Sequence, residues 1–162
     1  MATVTLSFKP VGDEVQKLEA KPETYSAAVW EETILFMPIQ LTIDGVQLLE
    51  LENVQPSYLE FPLLGFCASL NRAVDKIKPG VRVDGYLAGG GELRFREEDG
   101  KVRIWCTLNN RVAHATRTEL VEAARKFRDE VRDWFLKNAP ALQTHEYWAK
   151  WFPKLVLVPP VT

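Results

Sequence analysis

Few residues in this chain could do covalent or metal chemistry, and their spacing argues against most of it. The sequence holds two cysteines and two histidines, which is thin material for a dedicated zinc site. Cys67 has no histidine near it in sequence, and a nucleophilic thiol needs a base to activate it. Cys67 and Cys106 read as small buried hydrophobes instead. The carboxylate doublets Glu31-Glu32 and Glu97-Glu98 are adjacent, and neighbours on a strand point to opposite faces, so neither forms an acid/base dyad. Gly89-Gly90-Gly91 invites a phosphate-loop reading, but such a loop should open a helix whose N-terminal amides meet the anion. Here Glu92-Leu93-Arg94-Phe95, a strand pattern, follows, so the glycines read as a hairpin turn. No G-x-S-x-G elbow, Walker loop or H-E-x-x-H is present. No catalytic residue, metal ligand or cofactor is therefore assigned.

The elements that must carry these residues belong to a chain of 162 residues, long enough for one domain spanning 1–162. At 46% hydrophobic and 26% charged residues, it matches ordinary globular proteins. No run approaches the ~18 apolar residues of a membrane span. MATVTLSFKPVGDE lacks the basic and apolar segments of a secretory leader, so a cytoplasmic location is expected. Two cysteines cannot staple a disulfide scaffold. A net charge of -2 gives no overall pull toward nucleic acid or membrane.

Alternation predicts a first strand over 3–8 and a loop over 9–25. Further strands are expected near 28–36, 39–43 and 46–52, with Asp44-Gly45 as a two-residue hairpin turn. The period then becomes helical through Leu63, Phe66, Cys67, Leu70, Val74 and Ile77. Pro62 suits the first turn of that helix, and Pro79-Gly80 stops it. Strands follow near 81–87, 91–98, 101–108 and 111–116, joined by tight turns. Thr116 and Glu119 have the spacing of a capping box. They open a long helix whose apolar stripe is Leu120, Ala124, Phe127, Val131 and Phe135. On its outer face, Glu122 with Lys126 and Arg125 with Asp129 have the spacing of i,i+4 ion pairs. The segment from His145 to Phe152 suggests a short aromatic helix. The expected fold is α+β: an antiparallel sheet of about seven to eight strands, one inserted helix, one long helix after the last hairpin and a short C-terminal aromatic helix.

Turn arithmetic also gives a register. With Asp99-Gly100 as a two-residue loop, Arg96 faces Arg103 and Arg94 faces Trp105. With Ala88-Gly89-Gly90 as a three-residue loop, Arg82 faces Arg96 and Asp84 faces Arg94. With Asn109-Asn110 as a two-residue loop, Trp105 faces His114 and Arg103 faces Thr116. One face then collects Val81, Val83, Leu93, Phe95, Val102, Ile104, Cys106, Ala113 and Ala115, and this is the core face. The other collects Arg82, Arg94, Arg96, Arg103, Trp105 and His114. Like charges abreast on neighbouring strands repel, so the row calls for an acidic partner. Residues 1–80 hold six basic and eleven acidic side chains, and residues 81–162 hold fourteen and eleven. The acid could come from within, through Glu50, Glu52 or Glu60. The sharper reading is that it comes from outside, because arginine and tryptophan dominate protein-binding hot spots.

The succession LTIDGVQLLELE, FPLLGFCASLNRAV, GELRFREEDGKVRIWC and TELVEAARKFRDEVRDWFLK resembles small bacterial α+β domains, some of which serve as immunity proteins to polymorphic toxins. The resemblance covers about residues 39 to 140 and is one of layout, without shared catalytic residues. It implies a binding function with a cognate toxin or another protein as partner.

The expectation is a non-enzymatic intracellular protein that binds an acidic protein surface, an immunity protein that occludes a toxin in its most specific form. Arg82, Arg94, Arg96, Arg103, Trp105 and His114 are the partner-binding residues. Neither membrane nor nucleic acid is an expected partner. A small-molecule pocket lined by Trp134, Tyr147, Trp148 or Trp151 is the rival from another class, since ligand sites are mostly apolar. Self-association through the arginine face is the third reading.

Overall fold

A computed structural model describes residues 1–10, 35–53, 59–87 and 91–140. Along them run β1 (Val4–Phe8), β2 (Phe36–Ile43), β3 (Val46–Gln47), β4 (Glu60–Pro62) and α1 (Leu63–Asp75). Then come β5 (Arg82–Leu87), β6 (Gly91–Glu98), β7 (Lys101–Cys106), β8 (Val112–Ala115) and α2 (Arg117–Asn138). The fold is α+β, with antiparallel pairing throughout the named strands. The expected single sheet is instead two sheets of four strands each. In the first, β2 pairs with β1, β3 and β4; the second is the meander β5-β6-β7-β8. Helix α1 lies between them in the chain and breaks the hydrogen-bonded ladder.

Two hairpins turn as their dipeptides dictate. Asp44 and Gly45 have φ of 47° and 83°, and Asp99 and Gly100 have φ of 51° and 78°. Paired positive φ values give the turn twist that matches right-handed strands. The strand expected over 46–52 is only two residues long, because the chain leaves β2 after Gln47. The Gln47 side chain accepts from the amides of Leu41 and Leu49, at 3.0 and 3.2 Å, which curls the chain away from the ladder. Pro62 is the N-cap of α1, with φ -63° and ψ 116°, rather than a residue of its first turn. The segments expected as a loop over 11–25, a strand over 28–34 and an aromatic helix over 145–152 lie outside the described residues.

The core is one cluster drawn from both sheets and both helices. Val83, Leu93, Phe95, Val102, Ile104, Cys106, Ala113 and Ala115 are buried, as strand alternation requires. Val81 is the exception at 43% exposed, since it precedes β5 and is not held in the sheet. The stripe Leu120, Ala124, Phe127, Val131 and Phe135 is the buried face of α2. Phe127 meets the rings of Phe8 and Phe66 edge-on, with centroids 5.8 and 5.9 Å apart, and so joins α2 to β1 and α1. Burying each such ring contributes roughly 2 kcal/mol by area.

Thr116 and Glu119 form the capping box reciprocally: the Glu119 amide donates to Oγ1 of Thr116 at 3.2 Å, and the Thr116 amide donates to Oε2 of Glu119 at 2.8 Å. Glu119 also accepts from the Ala2 amide at 2.9 Å, tying the start of β1 to the start of α2. These backbone donors hold its carboxyl below the usual value, the Thr116 amide first. Arg125 does not pair with Asp129 along the helix. It reaches across to Asp75 and to the Asn71 side-chain oxygen, the latter at 2.6 Å, because α1 lies within its span. Arg128 and Arg132 take Asp129 instead. Asn71 is the buried polar side chain of the described core, 1% exposed. Its amide donates to the carbonyls of Cys67 and Ala124, at 3.0 and 3.2 Å, so it fastens the two helices together. Among the described residues no helix is long and apolar enough to cross a membrane.

Candidate interaction surface

The second sheet is packed by its helices on one face and carries the predicted residues on the other. Strands β5, β6 and β7 alternate so that Arg82, Arg94, Arg96, Arg103 and Trp105 project away from the core. Arg82 sits opposite Arg96 and Asp84 opposite Arg94 across β5 and β6; Arg96 sits opposite Arg103 and Arg94 opposite Trp105 across β6 and β7. These are the neighbours implied by the turn at 99–100 and by the loop expected at 88–90, which lies outside the described residues.

The last strand differs. Arg103 faces His114, and Trp105 faces Val112, a shift of two residues from the expected Trp105–His114 and Arg103–Thr116 pairs. Asn109-Asn110 is not a two-residue loop, because β7 ends at Cys106 and β8 begins at Val112. A slip of two preserves the side-chain parity, so His114 stays on the outer face, next to the arginine row.

Arg82, Arg94 and Arg96 each take a local acid, which offsets the like-charge repulsion on this face. Arg82 pairs with Asp84 at 3.2 Å, Arg94 with Glu92 at 2.9 Å and Arg96 with Glu98 at 2.8 Å. All these acids are on the same strands, two residues away, and Arg94 also lies 3.7 Å from Asp84 on the neighbouring strand. Glu50 and Glu52 do not cover it, contrary to one expectation; both are held by Arg111. Arg103 has no carboxylate partner among the described residues, and its guanidinium lies 4.8 Å from the centroid of the Trp105 ring. A cation over indole is a preassembled, partly desolvated contact. Tyr86 and Val112 extend this face with apolar surface, 57% and 37% exposed. The surface is thus a flat patch of paired but half-exposed arginines around an Arg103–Trp105 stack, with an aromatic at one margin. Such exposed pairs are weak, near 0–1 kcal/mol each, and yield readily to a stronger acidic partner.

A second arginine site was not legible in the sequence. In the loop after β7, Arg111 Nη1 donates to the Gln47 carbonyl and to Glu50 Oε2, both at 2.7 Å, and its Nε donates to Glu52 Oε1 at 3.2 Å. The Asn109 amide donates to the Leu48 and Glu50 carbonyls at 2.8 and 2.9 Å, while its oxygen accepts from the Arg111 amide. This clasp holds the second sheet to the segment after β3. The partners lie about sixty residues apart in sequence, and nothing local in Asn109-Asn110-Arg111 announces them.

The remaining chemistry is quiet. Cys67 and Cys106 are free and buried. Burial pushes the Cys67 thiol up to about 12, with Arg128 pulling the other way, so it is no nucleophile at neutral pH. Burial also raises the Cys106 thiol. Among the described residues no group of three or more His, Cys, Asp or Glu side chains is placed to hold a metal. Of the aromatic pocket residues, Trp134 is partly buried against the core and packs edge-on on Phe8 and Phe135, at 5.9 and 4.9 Å. Tyr147, Trp148 and Trp151 lie outside the described residues.

Fold and surface together define an α+β domain with an exposed arginine–tryptophan sheet face. Comparison of the chain with protein-family models, with characterised proteins and with solved structures finds no match.

Proposed function

We propose that this chain is a non-enzymatic binding protein whose partner is another protein presenting an acidic surface to the β5–β8 face. The carrying observation is the Arg103–Trp105 stack, a cation without a carboxylate among the described residues at the β7 end of a half-exposed arginine row. Binding would exchange the weak strand-local pairs for desolvated ones with the partner, with Trp105 and Tyr86 supplying apolar contact. Electrostatic steering by the row makes association fast at low salt and slower at high salt. In its most specific form the proposal is an intracellular immunity protein that covers the active surface of a bacterial toxin, which the layout of residues 39 to 140 supports.

The test is affinity capture by the tagged chain from a lysate of the organism that makes it, at low and high salt. The expected result is a stoichiometric protein partner whose capture falls with salt and is lost in the Arg96→Ala/Arg103→Ala variant. Capture unaffected by that variant, or none at all from a monomeric chain, overturns the assignment of this face. Self-association through the same face is the competing outcome, and light scattering of the two proteins reports it directly.

A further inference from the structure

Beside the arginine face, around the margin of the sheet, lies an open groove of about 620 Å³ lined by residues 75–78, 81–84 and Arg117. Its geometry is informative. Successive side chains of a strand point to opposite faces, so a cavity floored on one face would touch every second residue. Val81, Arg82, Val83 and Asp84 all line this one. Three of them, Arg82, Val83 and Asp84, are consecutive residues of β5, so the groove reaches the start of the β5 edge, which pairs with no other strand among the described residues, and Arg117 bounds its far end.

The ladder shows which backbone groups face that edge. The Thr107 amide donates to the Glu92 carbonyl at 3.0 Å, so Glu92, Arg94 and Arg96 direct their backbone groups toward β7. Leu93 and Phe95 then bond to β5 through Gly85 and Val83. The amides and carbonyls of Arg82, Asp84 and Tyr86 are left pointing out of the sheet. An edge with a row of outward donors and acceptors is a template for another strand.

Charge selects which strand. Lys76, Lys78 and Arg117 line the groove with no carboxylate partner among the described residues. Of its acids, Asp75 is engaged by Arg125 and Asp84 by Arg82 and Arg94. The groove is thus cationic, and lysines that repel a neutral or basic edge strand attract an acidic one.

We propose that the partner inserts an extended acidic segment into this groove, where it adds to β5 as a fifth strand of the sheet. The inference rests on the reading that the partner is an acidic protein, and it supplies that protein's second point of contact. Backbone hydrogen bonds to residues 82, 84 and 86 give the segment its direction, and acidic side chains at alternate positions meet Lys76 and Lys78.

The test is selection of a displayed library of random octapeptides against the full chain, followed by NMR titration of the enriched peptides. Peptides with Asp or Glu at alternate positions should be enriched, and they should shift the amide resonances of Arg82, Asp84 and Tyr86. Lys76→Glu/Lys78→Glu should weaken binding at least tenfold. Asp84→Pro, which removes one outward amide at a sheet edge that tolerates proline, should do the same, while Asp84→Asn should bind as well as the parent or better. Arg96→Ala/Arg103→Ala should leave peptide affinity unchanged, which separates the groove from the arginine face. The inference is overturned if acidic peptides are not enriched, or if they bind without moving the β5 amides. Peptides that instead perturb Trp105 and Arg103 overturn the groove while supporting the arginine face.

Discussion

Two arginine sites in this molecule make contacts of opposite kinds. On the outer sheet face, Arg82, Arg94 and Arg96 take acids from their own strands, Arg94 also meets Asp84 on β5, and among the described residues Arg103 takes an indole ring. In the loop after β7, Arg111 takes a backbone carbonyl and two carboxylates from the far side of the molecule. Strand-local pairs close almost no chain, because their partners are held near each other in the unfolded state too. The Arg111 clasp joins segments some sixty residues apart, so its contacts exist only once both sheets are in place.

The difference can be broken by mutation, and the largest effect should fall on binding. Trp105→Ala removes both the apolar anchor and the ring beneath Arg103, and should weaken the captured partner's affinity by roughly 30-fold or more, the size of a hot-spot loss of ~2 kcal/mol. Measured by calorimetry, an affinity equal to that of the parent would make the stack a local packing contact only.

Next comes the clasp. Asn109→Ala removes two side-chain bonds to carbonyls and should cost about 2 kcal/mol in urea unfolding. Arg111→Ala should also destabilise, leaving the Gln47 carbonyl and two carboxylates without their donor, and its midpoint should fall below those of Arg82→Ala and Arg96→Ala. Those face variants should each lie within about 0.5 kcal/mol of the parent. A smaller loss at Asn109 than at Arg96 would reverse the two assignments.

Smaller still are the titration effects. The Glu119 carboxyl is held low by the Thr116 amide and its other donors, so its contribution is present above the ordinary carboxylate value and is lost as pH falls through the lowered one. Glu119→Gln keeps an acceptor and should flatten this acid limb of the stability curve. Cys67 has the opposite sign. Its thiol is raised from 9.0 to about 12, so its contribution is complete below pH 9 and disappears as pH rises toward 12. At pH 8 the native chain should not react with a thiol reagent at this residue; rapid labelling would show that the α1–α2 interface opens readily.

Much of the fold was legible because its signals are local. Asp-Gly turns set the register of β6 against β7, Thr116 and Glu119 marked the start of α2, and period-2 alternation separated the core face from the outer one. The six predicted surface residues were found by that same arithmetic. What failed depended on distant partners. The β7–β8 register slipped because Asn109 is spent on the Leu48 and Glu50 carbonyls rather than on a tight turn. Glu50 and Glu52 were expected near the arginine row, yet their cation is one that sequence gave no reason to single out. Splitting into two sheets, the Asn71 bridge between helices and the groove beside β5 likewise arise only when α1 is docked.

The measurement that tests this account most directly is equilibrium urea unfolding of the Arg96→Ala/Arg103→Ala variant beside the parent chain. If the arginine row is held in reserve for a partner, the two curves should lie within about 1 kcal/mol of each other with equal slopes. A loss as large as that of Asn109→Ala would mean that the row holds the fold together, and the binding face would have to be sought elsewhere.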